Sequence, residues 1–263
     1  MVQRFYHYTS IETLFKIINS KKLRFRNLTE MDDPDETQSL EFKNIGKWNF
    51  ISSWTSLRDE LVMFQSYGGL DGVCISLPEL PFYTENIVPF EDNPKFDKDN
   101  NMILFEKLKL TTGFNYYTNK YNVLFYPNEV QKLDIEYTNE KEKLYPKIIT
   151  YNGSQYVFSG TKMGKYKDRQ WSFQKEVRYT IQVTPFYPEL LLKLNPEDPG
   201  SAFISGKIEY NPPFSVIDIP VSLEGMEVVF GPKVPDYEYK MSSKEIYDLV
   251  PNVKISKSNI RVR

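Results

Sequence analysis

The chain has 263 residues, with 33 Lys and Arg against 35 Asp and Glu, a net charge of −2, one His and one Cys. That length suits one large domain or two small ones, and the charge argues against a globally basic nucleic-acid binder. The single Cys74 excludes an intramolecular disulfide and a Cys-based zinc site, while the single His7 excludes every two-histidine metal site and must serve any Ser–His or Cys–His pair.

No apolar run approaches the roughly 18–20 residues needed to span a bilayer, and MVQRFYHYTS lacks the apolar region of a signal peptide. A cytoplasmic protein without membrane contact is the expectation.

Residues 3–8 are aromatic and β-prone, and Thr9-Ser10-Ile11-Glu12 reads as a capping box that opens a helix. Ile11, Leu14, Phe15 and Ile18 then recur at helical spacing, so one face is apolar. Leu23-Arg24-Phe25-Arg26 alternates apolar and basic residues, as a half-buried strand does. The acidic stretch Thr29–Glu36 reads as a turn, with the acids of a calcium loop but neither its spacing nor its glycine. A strand is expected over Phe50–Trp54, a short helix over Arg58–Tyr67 ended by Gly68-Gly69, and a strand over Gly72–Leu77.

Residues 80–150 read as an insertion within a single domain spanning 1–263, with helices expected over Asn101–Leu110 and Asn128–Lys143. Beyond it, Val177, Tyr179, Ile181 and Val183 alternate with Glu176, Arg178, Thr180 and Gln182, a clear period of two. Further strands are expected over Phe203–Tyr210, Met226–Phe230, Lys254–Ser256 and Ile260–Arg263, with a helix starting near Ser242–Glu245. Segregated strands and helices make the fold class α+β.

Three places can carry chemistry. His7 is either a filler in an aromatic strand or a ligand contact beside a helix N-terminus, where Thr9 and Ser10 would meet an anion. The segment Lys162–Tyr179 holds six basic residues against two acids, and Arg24, Arg26, Lys21 and Lys22 form a second basic cluster. Either is solvated surface or a phosphate-binding groove, in which Tyr166, Trp171 and Phe173 could stack on bases. Glu176, between Lys175 and Arg178, is either ion-paired or placed to stabilise a developing cation. No phosphate-loop, dinucleotide-fold, zinc-protease or hydrolase-elbow motif occurs.

Four ordered blocks carry a resemblance: Asp32-Asp33-Pro34 with Glu36, Met63–Tyr67 followed by Gly72-Val73-Cys74-Ile75, Trp171–Arg178, and Val228–Lys233 with Lys257-Ser258. Together with the opening strand and helix, they resemble a large bacterial domain family whose pattern runs NDPxE, MWxxY, GVC and WxxExExR. The match skips roughly residues 80–150, and Phe64 and Asp32 stand where that family often has Trp and Asn. The family looks like a divergent branch of the ADP-ribosyltransferases, with members that resemble anti-phage toxins. The resemblance implies a split antiparallel β-sheet core and an NAD⁺-consuming His–Tyr–Glu triad. Position by position the triad falls on His7, Tyr67 and Glu176, with Tyr6, Tyr8 and Trp54 as competing aromatics.

In that scheme Glu176 would stabilise the cation formed as the nicotinamide–ribose bond breaks, Tyr67 would stack on nicotinamide and His7 would clamp the adenosine-side ribose. Arg24 or Arg26 would neutralise the pyrophosphate, and no metal is required. Lys165, Lys167, Arg169, Trp171 and Arg178 would meet a nucleic-acid acceptor, RNA in preference to protein, and an antitoxin protein is an implied partner. The alternatives are an inactive nucleotide or nucleic-acid binding module of the same fold and a plain NAD⁺ glycohydrolase.

Overall fold

Leu23 and Phe25 are buried while Lys22 and Arg24 are exposed, so Lys22–Asn27 (β2) is a strand with one face in the core. It follows Arg4–Thr9 (β1) and Ile11–Ser20 (α1), whose Leu14, Ile17 and Ile18 pack inward. Ser10, one residue beyond the expected Thr9, caps α1: its Oγ accepts from the Thr13 amide at 3.1 Å. Glu12 is no capping-box partner, because its carboxylate pairs with Lys16 at 2.6 Å.

The computed structural model describes residues 3–41, 43, 45–87, 108–121, 123–125, 127–151, 156–158, 160–185 and 211–263. Asn49–Thr55 forms β3 and Val73–Pro78 forms β4. Between them α2 spans only Leu61–Met63 before the chain widens into a π turn over Phe64–Gly68. Thr84–Ile87 (β5), Leu108–Thr111 (β6), Val123–Phe125 (β7), Gln131–Asp134 (β8) and Glu136–Thr138 (β9) follow, with Phe114–Tyr121 (α3) among them. Lys141–Leu144 (α4) precedes Ile149–Tyr151 (β10), Tyr156–Phe158 (β11) and Tyr166–Asp168 (β12). Glu176–Pro185 (β13), Val216–Pro220 (β14), Glu227–Phe230 (β15), Asp236–Leu249 (α5) and Lys254–Lys257 (β16) complete the order. Mixed helices and an antiparallel-dominated sheet make the chain α+β. Among the described residues no helix is long and apolar enough to cross a membrane.

Several elements differ from the sequence expectation. Asn128–Lys143 is not one helix but β8, β9 and the start of α4, because β8 pairs with β13 from Val177 opposite Asp134 to Thr180 opposite Gln131. The helix expected over Asn101–Leu110 lies largely outside the described residues, and its end belongs to β6. The strand expected over Phe203–Tyr210 also lies outside them. α5 begins at Asp236, directly after Pro235, well before Ser242. Ile260–Arg263 is not a strand; the Ile260 amide is taken by the Ser258 hydroxyl at 3.1 Å.

The main sheet runs β14-β2-β3-β1-β4-β15-β16, with β13 on the other side of β3. One edge of β3 pairs with β13 along its whole length, from Asn49 opposite Gln182 to Thr55 opposite Glu176. The opposite edge is shared: β2 takes it at Phe50 and Ile51, and β1 takes it at Thr55. Between those two contacts no strand among the described residues pairs with that edge of β3, which leaves a split between β1 and β2 there.

Backbone contacts lock the end of β1 to the turn that carries Tyr67. A Cβ at Gly72 would meet the Thr9 carbonyl oxygen at 2.6 Å and overlap that of Gly68, while one at Gly231 would meet the Leu70 carbonyl oxygen at 2.5 Å. Gly72→Ala is therefore expected to cost about 1–3 kcal/mol through overpacking. A thermal melt within 1 °C of wild type would show that this turn has room to give.

Candidate active-site cleft

The site begins with an unpaired carbonyl. Successive residues of a strand offer their hydrogen-bonding groups to opposite edges, so Ser53, lying between Ile51 and Thr55, presents its backbone to the split. The carbonyl oxygen of Ser53, with no strand beside it there, accepts from His7 Nδ1–H at 2.8 Å. An oxygen that can only accept fixes the tautomer, and neutral His7 keeps Nε2 as an acceptor. Burial pushes the imidazole below its ordinary pKa, although the Ser53 carbonyl pulls the other way, so the ring stays neutral near pH 7. Trp54 lies beside it, ring centroids 5.3 Å apart.

The split opens into a cavity of about 870 Å³ whose lining includes His7, Arg24, Ser53, Tyr67, Gln174 and Glu176. That volume lies within the range of small-molecule and cofactor sites, roughly 300–1,000 Å³. His7, Tyr67 and Glu176 thus share one cavity although they come from β1, the π turn and the first residue of β13.

Glu176 is ion-paired, one of the two readings its sequence setting left open. Arg178 grips it with two donors, Nε to Oε1 at 2.7 Å and Nη2 to Oε2 at 3.0 Å, and Lys167 Nζ reaches Oε2 at 3.1 Å. Glu176 and Arg178 stand two apart on β13 and therefore share a face of the strand. Burial alone would raise the carboxyl pKa, but Arg178 and Lys167 outweigh it and hold it near about 2. The charge persists throughout the neutral range. The Glu176 amide is fixed as well, donating to the Tyr137 hydroxyl at 2.8 Å.

Tyr67 projects from the π turn, which is closed by the Gly69 amide donating to the Phe64 carbonyl at 2.7 Å. Tyr67 is 38% exposed, and its hydroxyl accepts from Gln174 Nε2. Burial of the hydroxyl pushes its pKa to about 12. Gln174 is itself buried, and its Oε1 has no hydrogen-bond partner.

The other residues singled out by the sequence fall variously. Thr9 lines the cavity, and Ser10 serves as the cap of α1. Arg24 and Arg26 line it too, but Arg24 is held by Asp218 at 2.9 and 3.0 Å and Arg26 by Glu30 at 3.1 Å. Of the competing aromatics, Tyr8 is committed: its hydroxyl donates to the Leu57 carbonyl at 3.1 Å and accepts from the Glu60 amide at 2.9 Å.

The basic segment is not one solvated face, which corrects two of its members. Lys167 and Arg178 are 3% and 1% exposed, turned inward by their carboxylate partners, and unable to meet a polyanion as placed. Arg169 and Lys175 remain exposed, Lys165 half-buried, and Trp171 lies under the Lys167 ammonium at 5.0 Å.

The sequence marks Glu36 only as a member of the first block of the resemblance and gives it no role. It reads as part of an acidic turn, yet it is buried, its Oε2 accepting from Arg178 Nη1 and its Oε1 lying 3.2 Å from Lys167 Nζ. Among the described residues no group of three His, Cys, Asp or Glu side chains is placed to hold a metal ion. Compared with known proteins, the chain matches no family model, no curated sequence and no solved structure.

Proposed function

We propose that the chain is an NAD⁺-dependent ADP-ribosyltransferase with RNA as its acceptor, acting as a bacterial toxin or anti-phage effector. The observation that carries this reading is the meeting of His7, Tyr67 and Glu176 in one cavity at the split of the sheet. The three residues lie far apart in sequence, and the resemblance that names them says nothing of distances. Their convergence supports the reading, as does the gap between β1 and β2 along the edge of β3.

In the reaction, the bond between the ribose C1′ and the nicotinamide nitrogen breaks, nicotinamide leaves with the bonding pair, and an acceptor oxygen or nitrogen bonds to C1′ and releases its proton to solvent. The Glu176 carboxylate, ionised and clamped, accepts a ribose hydroxyl and stabilises the growing positive charge. Tyr67 stacks on the nicotinamide ring. His7, neutral with Nε2 as acceptor, takes a hydroxyl of the second ribose. Arg24, Arg26 and Lys22 stand on β2 for the pyrophosphate. Arg169 and Lys175 are exposed and would meet an RNA backbone.

A second reading has one observation in its favour. Lys167 and Arg178 together neutralise Glu176, as would suit a module that binds a nucleotide without cleaving it. Incubation with NAD⁺, with and without RNA, separates the possibilities. Nicotinamide release with an RNA adduct heavier by ADP-ribose supports transfer. Release at the same rate without RNA indicates hydrolysis, and NAD⁺ binding without release indicates the module.

His7→Phe removes the ribose acceptor while keeping a ring beside Trp54. It is expected to raise KM for NAD⁺ about tenfold and leave kcat within about threefold, the signature of lost uniform binding. Steady-state nicotinamide release measures both, and an unchanged KM would remove His7 from the donor site.

A further inference from the structure

Glu36 lies outside the cavity lining, yet it holds both cations that hold Glu176. We propose that Glu36 is a positioning residue for Glu176, acting through Arg178 and Lys167. Only the kinetic consequence rests on the transferase reading; the geometry stands apart from it.

The local sequence explains how an acid from a surface turn comes to lie so deep. Asp33 caps the 3₁₀ turn Pro34–Thr37, its Oδ1 accepting from the Asp35 amide at 3.1 Å, and Pro34 stands at the first turn position. The Thr37 hydroxyl donates to the Pro34 carbonyl at 3.0 Å, which tightens the turn. With its backbone fixed this way, Glu36 projects inward rather than into solvent.

There it completes a quartet of two acids and two bases, all with side chains no more than 6% exposed. The guanidinium of Arg178 is held all round: Nε and Nη2 on Glu176, Nη1 on Glu36 and on the Gly164 carbonyl at 2.9 Å. Gly164, at φ +70°, also leaves room for that approach, since a Cβ there would come within 3.3 Å of Nη1. Without Glu36, two buried cations would face one carboxylate, a net charge that the interior disfavours. Both cations would also lose the partner on the side away from the cavity. Glu36 therefore lets Arg178 and Lys167 donate to Glu176 from fixed positions without leaving a net buried charge.

Two variants separate positioning from charge balance. Glu36→Gln removes the charge and keeps the reach, whereas Glu36→Asp keeps the charge and withdraws it by one methylene, so the fold is expected to survive. The first readout needs no NAD⁺: the Arg178 Nε–H resonance in a ¹H–¹⁵N spectrum, assigned by its loss in Arg178→Lys. In wild type, its bond of 2.7 Å to Glu176 should shift it downfield and protect it from exchange. Both variants are expected to move that resonance upfield, speed its exchange at least tenfold and lower kcat for nicotinamide release about 10- to 100-fold, with KM changed less than about threefold.

If Glu36→Asp retains the wild-type resonance and kcat, Glu36 only balances charge and the positioning proposal is overturned. If wild type releases no nicotinamide, the transferase reading fails by itself and the Nε–H resonance decides the role of Glu36. Should Glu36→Gln not fold, Glu36→Asp decides it alone.

Discussion

Glu176→Gln is expected to reduce nicotinamide release from NAD⁺ by about 10²–10³-fold, the loss typical when one preorganised electrostatic contact to a transition state is removed. The substitution conserves shape, so the ribose still finds an acceptor oxygen, but the full negative charge facing the forming cation is gone. The quartet sharpens the effect. A glutamine amide would turn either its oxygen or its NH₂ toward the donors of Arg178 and Lys167, and the second orientation sets donor against donor. Circular dichroism at the assay temperature establishes that the variant is folded before rates are compared. KM should change little, since the lost interaction belongs to the transition state. A folded Glu176→Gln protein that releases nicotinamide at the wild-type rate would remove Glu176 from the chemistry.

Arg178→Met should be the most destabilising single change at the site, at about 3–5 kcal/mol, because it leaves Glu36 and Glu176 buried with only Lys167 between them. Chemical denaturation at pH 7 measures it. The same variant should alter the acid response. In wild type, Glu176 is held near about 2 in the folded state, well below the ordinary Glu pKa of about 4.3. Its contribution to stability is therefore complete above that ordinary value and is lost as pH falls from there toward 2. Removing Arg178 takes away the main force holding the carboxyl down, while burial, which raises it, remains. Folded Glu176 then keeps a proton to higher pH, and the acid loss of stability linked to this group shrinks or reverses. Urea midpoints between pH 3 and 7 would show a flatter acid limb for Arg178→Met. Parallel limbs in the two proteins would mean that Arg178 does not set the ionisation of Glu176.

What the sequence disclosed follows the range of the forces involved. α1, β2 and β13 are visible because each carries its own period, as in Leu23 and Phe25 against Arg24, or Val177 and Tyr179 against Glu176 and Arg178, and β1 because it is aromatic and β-prone. Asn128–Lys143 misled because Gln131–Asp134 has no pattern of its own and is a strand only by pairing with β13. His7 and Glu176 could be singled out by type and neighbours. Their partners could not: Glu36 and Arg178 are separated by 142 positions, and a run of Lys and Arg does not reveal which members turn inward. One local signal was present, since Glu176 and Arg178 at a spacing of two must share a strand face. Nothing in the linear order placed Lys167 and Glu36 on that same face.

The π turn at Phe64–Gly68 has a consequence of its own. A π turn accommodates one residue more than an α turn, and one residue on a helix corresponds to a rotation of about 100°. The bearing of the Tyr67 ring is therefore set by chain length as much as by rotamer. Deleting one residue from Phe64–Ser66 would restore an ordinary α turn and swing the Tyr67 ring away from Gln174 with every other cavity side chain left in place. The aromatic wall of the cleft can thus be gained or lost by counting alone, without a substitution at any residue that faces it.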